Sequence, residues 1–79
     1  MITLSEGSQG KEVEILQAIL RSQLAVDYEG KPIEMDGYFG KKTKYAVMEF
    51  QSRMKAYEFT NMVVDGVVGN ITWGALAGL

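Results

Sequence analysis

Apolar residues recur three and four apart in two long stretches and one short stretch of this 79-residue chain, and turn-forming residues crowd the intervals between them. Within residues 8 to 24 the stripe is Val13, Leu16, Ile19, Leu20 and Leu24, with Glu12 and Glu14 placed to favour the dipole of a first helix. From Gly40 to about Tyr57 the stripe is Thr43, Ala46, Val47, Phe50, Met54 and Tyr57, and no glycine or proline interrupts this second, longest helix. Asn70 to Leu79 predicts a short third helix whose inward residues are Thr72, Trp73, Leu76 and Leu79. So short a helix is marginal alone, so tertiary packing must hold it, and Trp73 is the obvious anchor. Between the helices, residues 25 to 39 hold Asp27, Gly30, Pro32, Asp36 and Gly37, which predicts a structured connection with extended pieces near Ala25-Val26 and Pro32-Ile33. Residues 58 to 69 form a second loop ending in Asp65-Gly66. The reading is all-α: one domain over residues 1–79, a compact three-helix bundle with two structured loops.

Two stretches repeat each other at a spacing of 29 residues. Met35-Asp36-Gly37-Tyr38-Phe39-Gly40-Lys41-Lys42-Thr43 and Val64-Asp65-Gly66-Val67-Val68-Gly69-Asn70-Ile71-Thr72 both read apolar-Asp-Gly-x-x-Gly-x-x-Thr, which implies two equivalent structural units. A fainter third copy opens at Gly10 and lacks the Asp-Gly turn. In each full copy the Asp can accept a backbone hydrogen bond, and Gly37 or Gly66 supplies the positive φ of a tight turn. The next two residues, Tyr38-Phe39 and Val67-Val68, can point inward. Gly40 and Gly69 suit a helix cap, and Thr43 and Thr72 can reach back to it as in a capping box. The motif is a helix-starting device, and the same stiff loops could line one ligand groove.

Composition narrows the chemistry. With no cysteine and no histidine, the chain has no disulfide, thiol nucleophile or imidazole base, and it lacks the commonest zinc ligands; no cofactor or metal is expected. A net charge of −2 with interspersed signs gives no footprint for nucleic acid or an anionic membrane. The one basic cluster, Lys41, Lys42 and Lys44, reads as a solvated face before an anion site. The amino terminus does not have the form of a signal peptide, and no apolar run is long enough for a membrane span.

Three blocks then make a resemblance. They are Gly7-Ser8-Gln9-Gly10-x-x-Val13-x-x-Leu16-Gln17, Asp36-Gly37-Tyr38-Phe39-Gly40-x-x-Thr43-x-x-Ala46-Val47-x-x-Phe50-Gln51, and Asp65-Gly66-Val67-Val68-Gly69-x-x-Thr72-Trp73-x-x-Leu76. In this order, over about Leu4 to Leu79, the chain resembles the peptidoglycan-binding domain family of three-helix modules. The resemblance implies a non-catalytic module that anchors an attached cell-wall hydrolase on bacterial peptidoglycan, outside the cell or in its wall, as a monomer. It also implies an alternative, a protein-interaction or prodomain-like inhibitory module. The chain departs from the family pattern at Val26 to Met35, which is longer and more charged than usual, and at Tyr57 to Val64; both changes could reshape a groove.

Peptidoglycan offers sugar faces, amides and stem-peptide carboxylates, so a binder needs aromatics, amides and hydroxyls. The candidates are Tyr28, Tyr38, Tyr57, Asp36, Asp65 and Gln51. Each has a structural use too. Tyr57 continues the stripe of Phe50 and Met54, and Gln51, with Gln17, stands where its amide can support a neighbouring loop. A hydrolase reading would make Asp36 and Asp65 the acid and base. It fails on their repeat equivalence and on turn hydrogen bonds that make both of them acceptors rather than proton donors.

Overall fold

A computed structural model describes residues 2–57 and 59–78, with three helices in chain order: α1 (Lys11–Ser22), α2 (Lys41–Tyr57) and α3 (Asn70–Ala77). Each of the three sends one apolar stripe into a shared core. Val13, Leu16 and Leu20 come from α1, Ala46, Val47 and Phe50 from α2, and Trp73, Ala75 and Leu76 from α3. The connections complete that core with Ile33, Phe39, Met62 and Val68. The radius of gyration, 11.2 Å, matches about 11.6 Å for a compact domain of this length.

The amino-terminal segment, which helical periodicity does not reveal, ties the two repeat loops together. Leu4 is buried and exchanges backbone hydrogen bonds with Val68 in both directions, at 3.1 and 2.7 Å. Further along, Gly7 N–H donates to the Phe39 carbonyl, Phe39 N–H to Ser8, and Gly10 N–H to Gly37. The Trp73 indole N–H donates to the Ile2 carbonyl at 2.7 Å, so the anchor of α3 also holds the start of the chain. Within the first connection Val26 and Pro32 pair as an isolated antiparallel bridge.

Several expectations need correction. α1 is shorter at both ends than residues 8 to 24, and Leu24 is 86% exposed with φ of 62°. The helix ends there in a left-handed turn: Leu24 N–H donates to the Arg21 carbonyl and Ala25 N–H to the Leu20 carbonyl. That is the Schellman pattern, with leucine where glycine usually stands. Ala25, not Leu24, turns back to the core. Tyr57 is 77% exposed on the last turn of α2, so the stripe of that helix ends before it. After each Asp-Gly turn the chain is extended and side chains alternate, so Phe39 and Val68 are buried while Tyr38 is exposed and Val67 only half-buried. In α3 the buried residues are Thr72, Trp73, Ala75 and Leu76; Leu79 lies outside the described residues.

Candidate functional site

Two buried glutamines build the two loops in the same way. The Gln17 amide N–H groups are shared among Asp36 Oδ1 at 3.0 Å, the Tyr38 carbonyl at 3.0 Å and Thr43 Oγ1 at 3.1 Å, while its Oε1 accepts from Gly37 N–H at 2.9 Å. The Gln51 amide reaches Asp65 Oδ1 at 3.3 Å, the Val67 carbonyl at 2.9 Å and Thr72 Oγ1 at 3.1 Å, and its Oε1 accepts from Asp65 and Gly66 N–H. Thr43 and Thr72 are therefore acceptors for a glutamine amide, and the capping-box role expected of them falls to neither. A helix residue thus braces the loop that follows it, and the loop closes on the start of the next helix.

Each Asp completes its turn as an acceptor. Tyr38 N–H donates to Asp36 Oδ1 at 3.0 Å and Val67 N–H to Asp65 Oδ1 at 2.9 Å. The Tyr38 N–H bond and then the Gln17 amide hold the Asp36 carboxyl below its ordinary value, outweighing its slight desolvation. Gly37 and Gly66 have φ of 73° and 76°, and a Cβ at either would also press on a neighbouring side chain, Glu14 Cγ at 3.2 Å or Lys44 Cγ at 2.8 Å.

A cleft of about 310 Å³ opens in front of the first loop and another of about 260 Å³ in front of the second. Positions 33, 34, 36, 38 and 40 to 43 line the first, and positions 62, 63, 65, 67 and 69 to 72, each 29 residues on, line the second. The first has two further wall residues, Asp27 and Tyr28. They come from the longer connection: Gln17 and the glycine it braces are 20 residues apart, Gln51 and its glycine 15.

That extra wall is tied down. Asp27 is 4% exposed and its Oδ1 accepts from Glu29 N–H at 2.8 Å and Lys31 N–H at 3.1 Å. Burial pushes the Asp27 carboxyl up, but the N–H bonds from Lys31 and Glu29 and the nearby Lys42 and Lys31 charges together hold it below its ordinary value. Lys42, at the start of α2, lies 3.0 Å from Glu29 and 3.9 Å from Asp27, and the Tyr28 ring stands edge-on to Tyr45 at 6.1 Å.

Of the residues singled out from sequence, Tyr28, Asp36 and Tyr38 meet at the first cleft and Asp65 lines the second. Gln51 is fully buried behind the second loop, with its amide spent on that loop. Tyr57 lines neither cleft. Glu34, Lys41 and Lys42 also line the first cleft and were not among the sequence candidates for ligand contact. Their signal is the set of positions where the two repeats differ in charge: Glu34 against Val63, Lys41 against Asn70 and Lys42 against Ile71.

Comparison with known proteins gives a consistent set of relatives. Residues 9–76 match the family model described as a peptidoglycan binding domain. The chain is 41% identical over 73 residues to an uncharacterized protein of Kitasatospora aureofaciens, covering 92% of this chain and 53% of that one. It is 38% identical over 74 residues to a zinc D-Ala-D-Ala carboxypeptidase of Streptomyces albus G, covering 94% of this chain and 26% of that protein. The chain thus spans about half the length of one curated relative and about a quarter of the other. Among solved structures it resembles the SleB N-terminal domain, with TM-score 0.77 and 26% identity over 98% of this chain and 90% of that one. It also resembles the Burkholderia AP3 phage endolysin, with TM-score 0.79 and 33% identity over 99% of this chain and 26% of that one.

Proposed function

The chain belongs to the peptidoglycan-binding domain family, and from that premise we propose that it binds bacterial cell-wall peptidoglycan without chemistry of its own and holds an associated wall hydrolase against its substrate. In this reading residues 1–79 form one module that acts as a monomer outside the cell or in its wall. The observation that carries it is the first cleft, where exposed Tyr28 and Tyr38 and charges of both signs surround a turn held rigid from behind by Gln17. Tyrosine suits such a place, because the ring can lie on a sugar or peptide face while the hydroxyl stays wet. The carboxylates of Asp36 and Asp65 are engaged as turn acceptors, which supports a binding role over acid–base catalysis. Among the described residues no group of three His, Cys, Asp or Glu side chains could hold a metal ion, and no helix is long and apolar enough to cross a membrane. The carboxypeptidase and endolysin relatives, each far longer than this chain, support the association with a hydrolase.

Sedimentation with purified sacculi tests the proposal. The chain should pellet with the wall, release no soluble wall fragments, and lose at least about fivefold in retention as a folded Tyr38→Ala variant, the usual scale for removing an aromatic contact. Release of wall fragments by the pure chain would instead make it an enzyme, and absence from the pellet on walls of several bacterial types would shift the function to protein interaction.

A further inference from the structure

The two clefts share their construction and differ in chemistry, so each serves as a control for the other. Positions 34, 41 and 42 in the first are Glu, Lys and Lys, and their counterparts in the second are Val63, Asn70 and Ile71. Only the first gains the wall of Asp27 and Tyr28. Most of its charges have work within the domain. Lys42 pairs with Glu29 and Asp27, Asp27 holds the turn at Glu29 and Lys31, and Asp36 holds the turn at Tyr38. Two remain. Glu34 and Lys41, of opposite sign, line the same cleft and enter no ion pair among the described residues.

A cleft of about 310 Å³ has room for the end of one amino-acid side chain rather than for a run of sugars. An anionic group there would meet Lys41 at the start of α2, where the helix dipole adds to the attraction, and a cationic group would meet Glu34. We propose that the first cleft is the ligand pocket of this domain and takes the zwitterionic end of a diamino acid in the peptidoglycan stem peptide, its carboxylate toward Lys41 and its ammonium toward Glu34. This rests on the wall-binding reading above and adds the part of the wall that is recognised. A stem peptide carrying lysine at that place offers the ammonium alone and leaves Lys41 unmet. The second cleft, with neither charge, takes no such group.

The test is titration of the ¹⁵N-labelled 79-residue chain with two synthetic tripeptides, L-Ala-γ-D-Glu-meso-diaminopimelate and L-Ala-γ-D-Glu-L-Lys, followed by amide chemical shifts at low ionic strength. The diaminopimelate peptide should move the amides of Tyr38, Lys41 and Lys42 and bind about tenfold more tightly than the lysine peptide, the scale of one charge-assisted contact. Lys41→Asn and Glu34→Val carry the residues that the second repeat already tolerates at the same places. Lys41→Asn should abolish the discrimination, and Glu34→Val should weaken both peptides. Equal affinity for the two peptides, or shifts centred on Asn70 to Thr72, would overturn the proposal. If neither peptide binds while the chain still pellets with sacculi, the glycan is the ligand and this inference alone fails. If the chain does not pellet either, the wall-binding reading fails with it.

Discussion

Gln51 occupies a place where a side chain has no freedom and every polar atom has a partner, and Gln17 repeats it. Truncating either to alanine would leave two or more loop groups buried and unpaired. Gln51→Ala strands the Gly66 and Asp65 N–H groups and the Val67 carbonyl, at a cost of about 2–4 kcal/mol. Urea unfolding should show that loss, and a change under 0.5 kcal/mol would mean that water replaces the amide without strain. Asp36 makes a pH prediction. Its folded carboxyl sits below the ordinary value of 3.8, so its stabilisation is complete above that pH and is lost as pH falls through the folded value. The thermal midpoint should therefore drop below pH 3.8, and Asp36→Asn should drop less over the same range. The Asp-Gly turns and a loop-supporting use for both glutamines were visible in sequence, but the individual partners were not. The partners of Gln17 lie 19 to 26 residues away, and no local pattern encodes that distance.

At the scale of elements the three helices were legible because their stripes have the helical period. What period alone could not give is where each stripe stops. Leu24 continues the spacing of α1, yet the helix has already ended and the backbone is left-handed at that residue. Leucine pays a steric penalty there that glycine would not, and being 86% exposed it recovers little by burial. Leu24→Gly should accordingly stabilise the domain by about 1 kcal/mol in denaturant unfolding. A loss of stability would show that the Leu24 side chain has a packing role after all. Tyr57 gives the same lesson at the end of α2. The amino-terminal segment was missed for another reason: its pairings with Val68, Phe39 and Gly37 are long-range backbone contacts, and single residues such as Leu4 and Ile2 carry no periodic signal.

At the scale of the whole molecule, one structural unit is used twice and given two surfaces. The braced Asp-Gly loops, the buried second apolar residue and the opening glycine of the next helix are common to both copies, so the equivalence of these two units was readable from the repeat. The proposed ligand surface lies in what is not common: the five extra residues between Gln17 and its glycine and the charges at positions 34, 41 and 42. Aligning the repeats with each other locates these differences; reading each motif by itself hides them. Hydrogen–deuterium exchange of the chain with and without intact sacculi puts the central claim to the most direct test. The account predicts new protection at residues 27 to 28 and 36 to 43, with residues 65 to 72 unchanged. An exchange map that sacculi leave unaltered, or protection confined to the second loop, would contradict it.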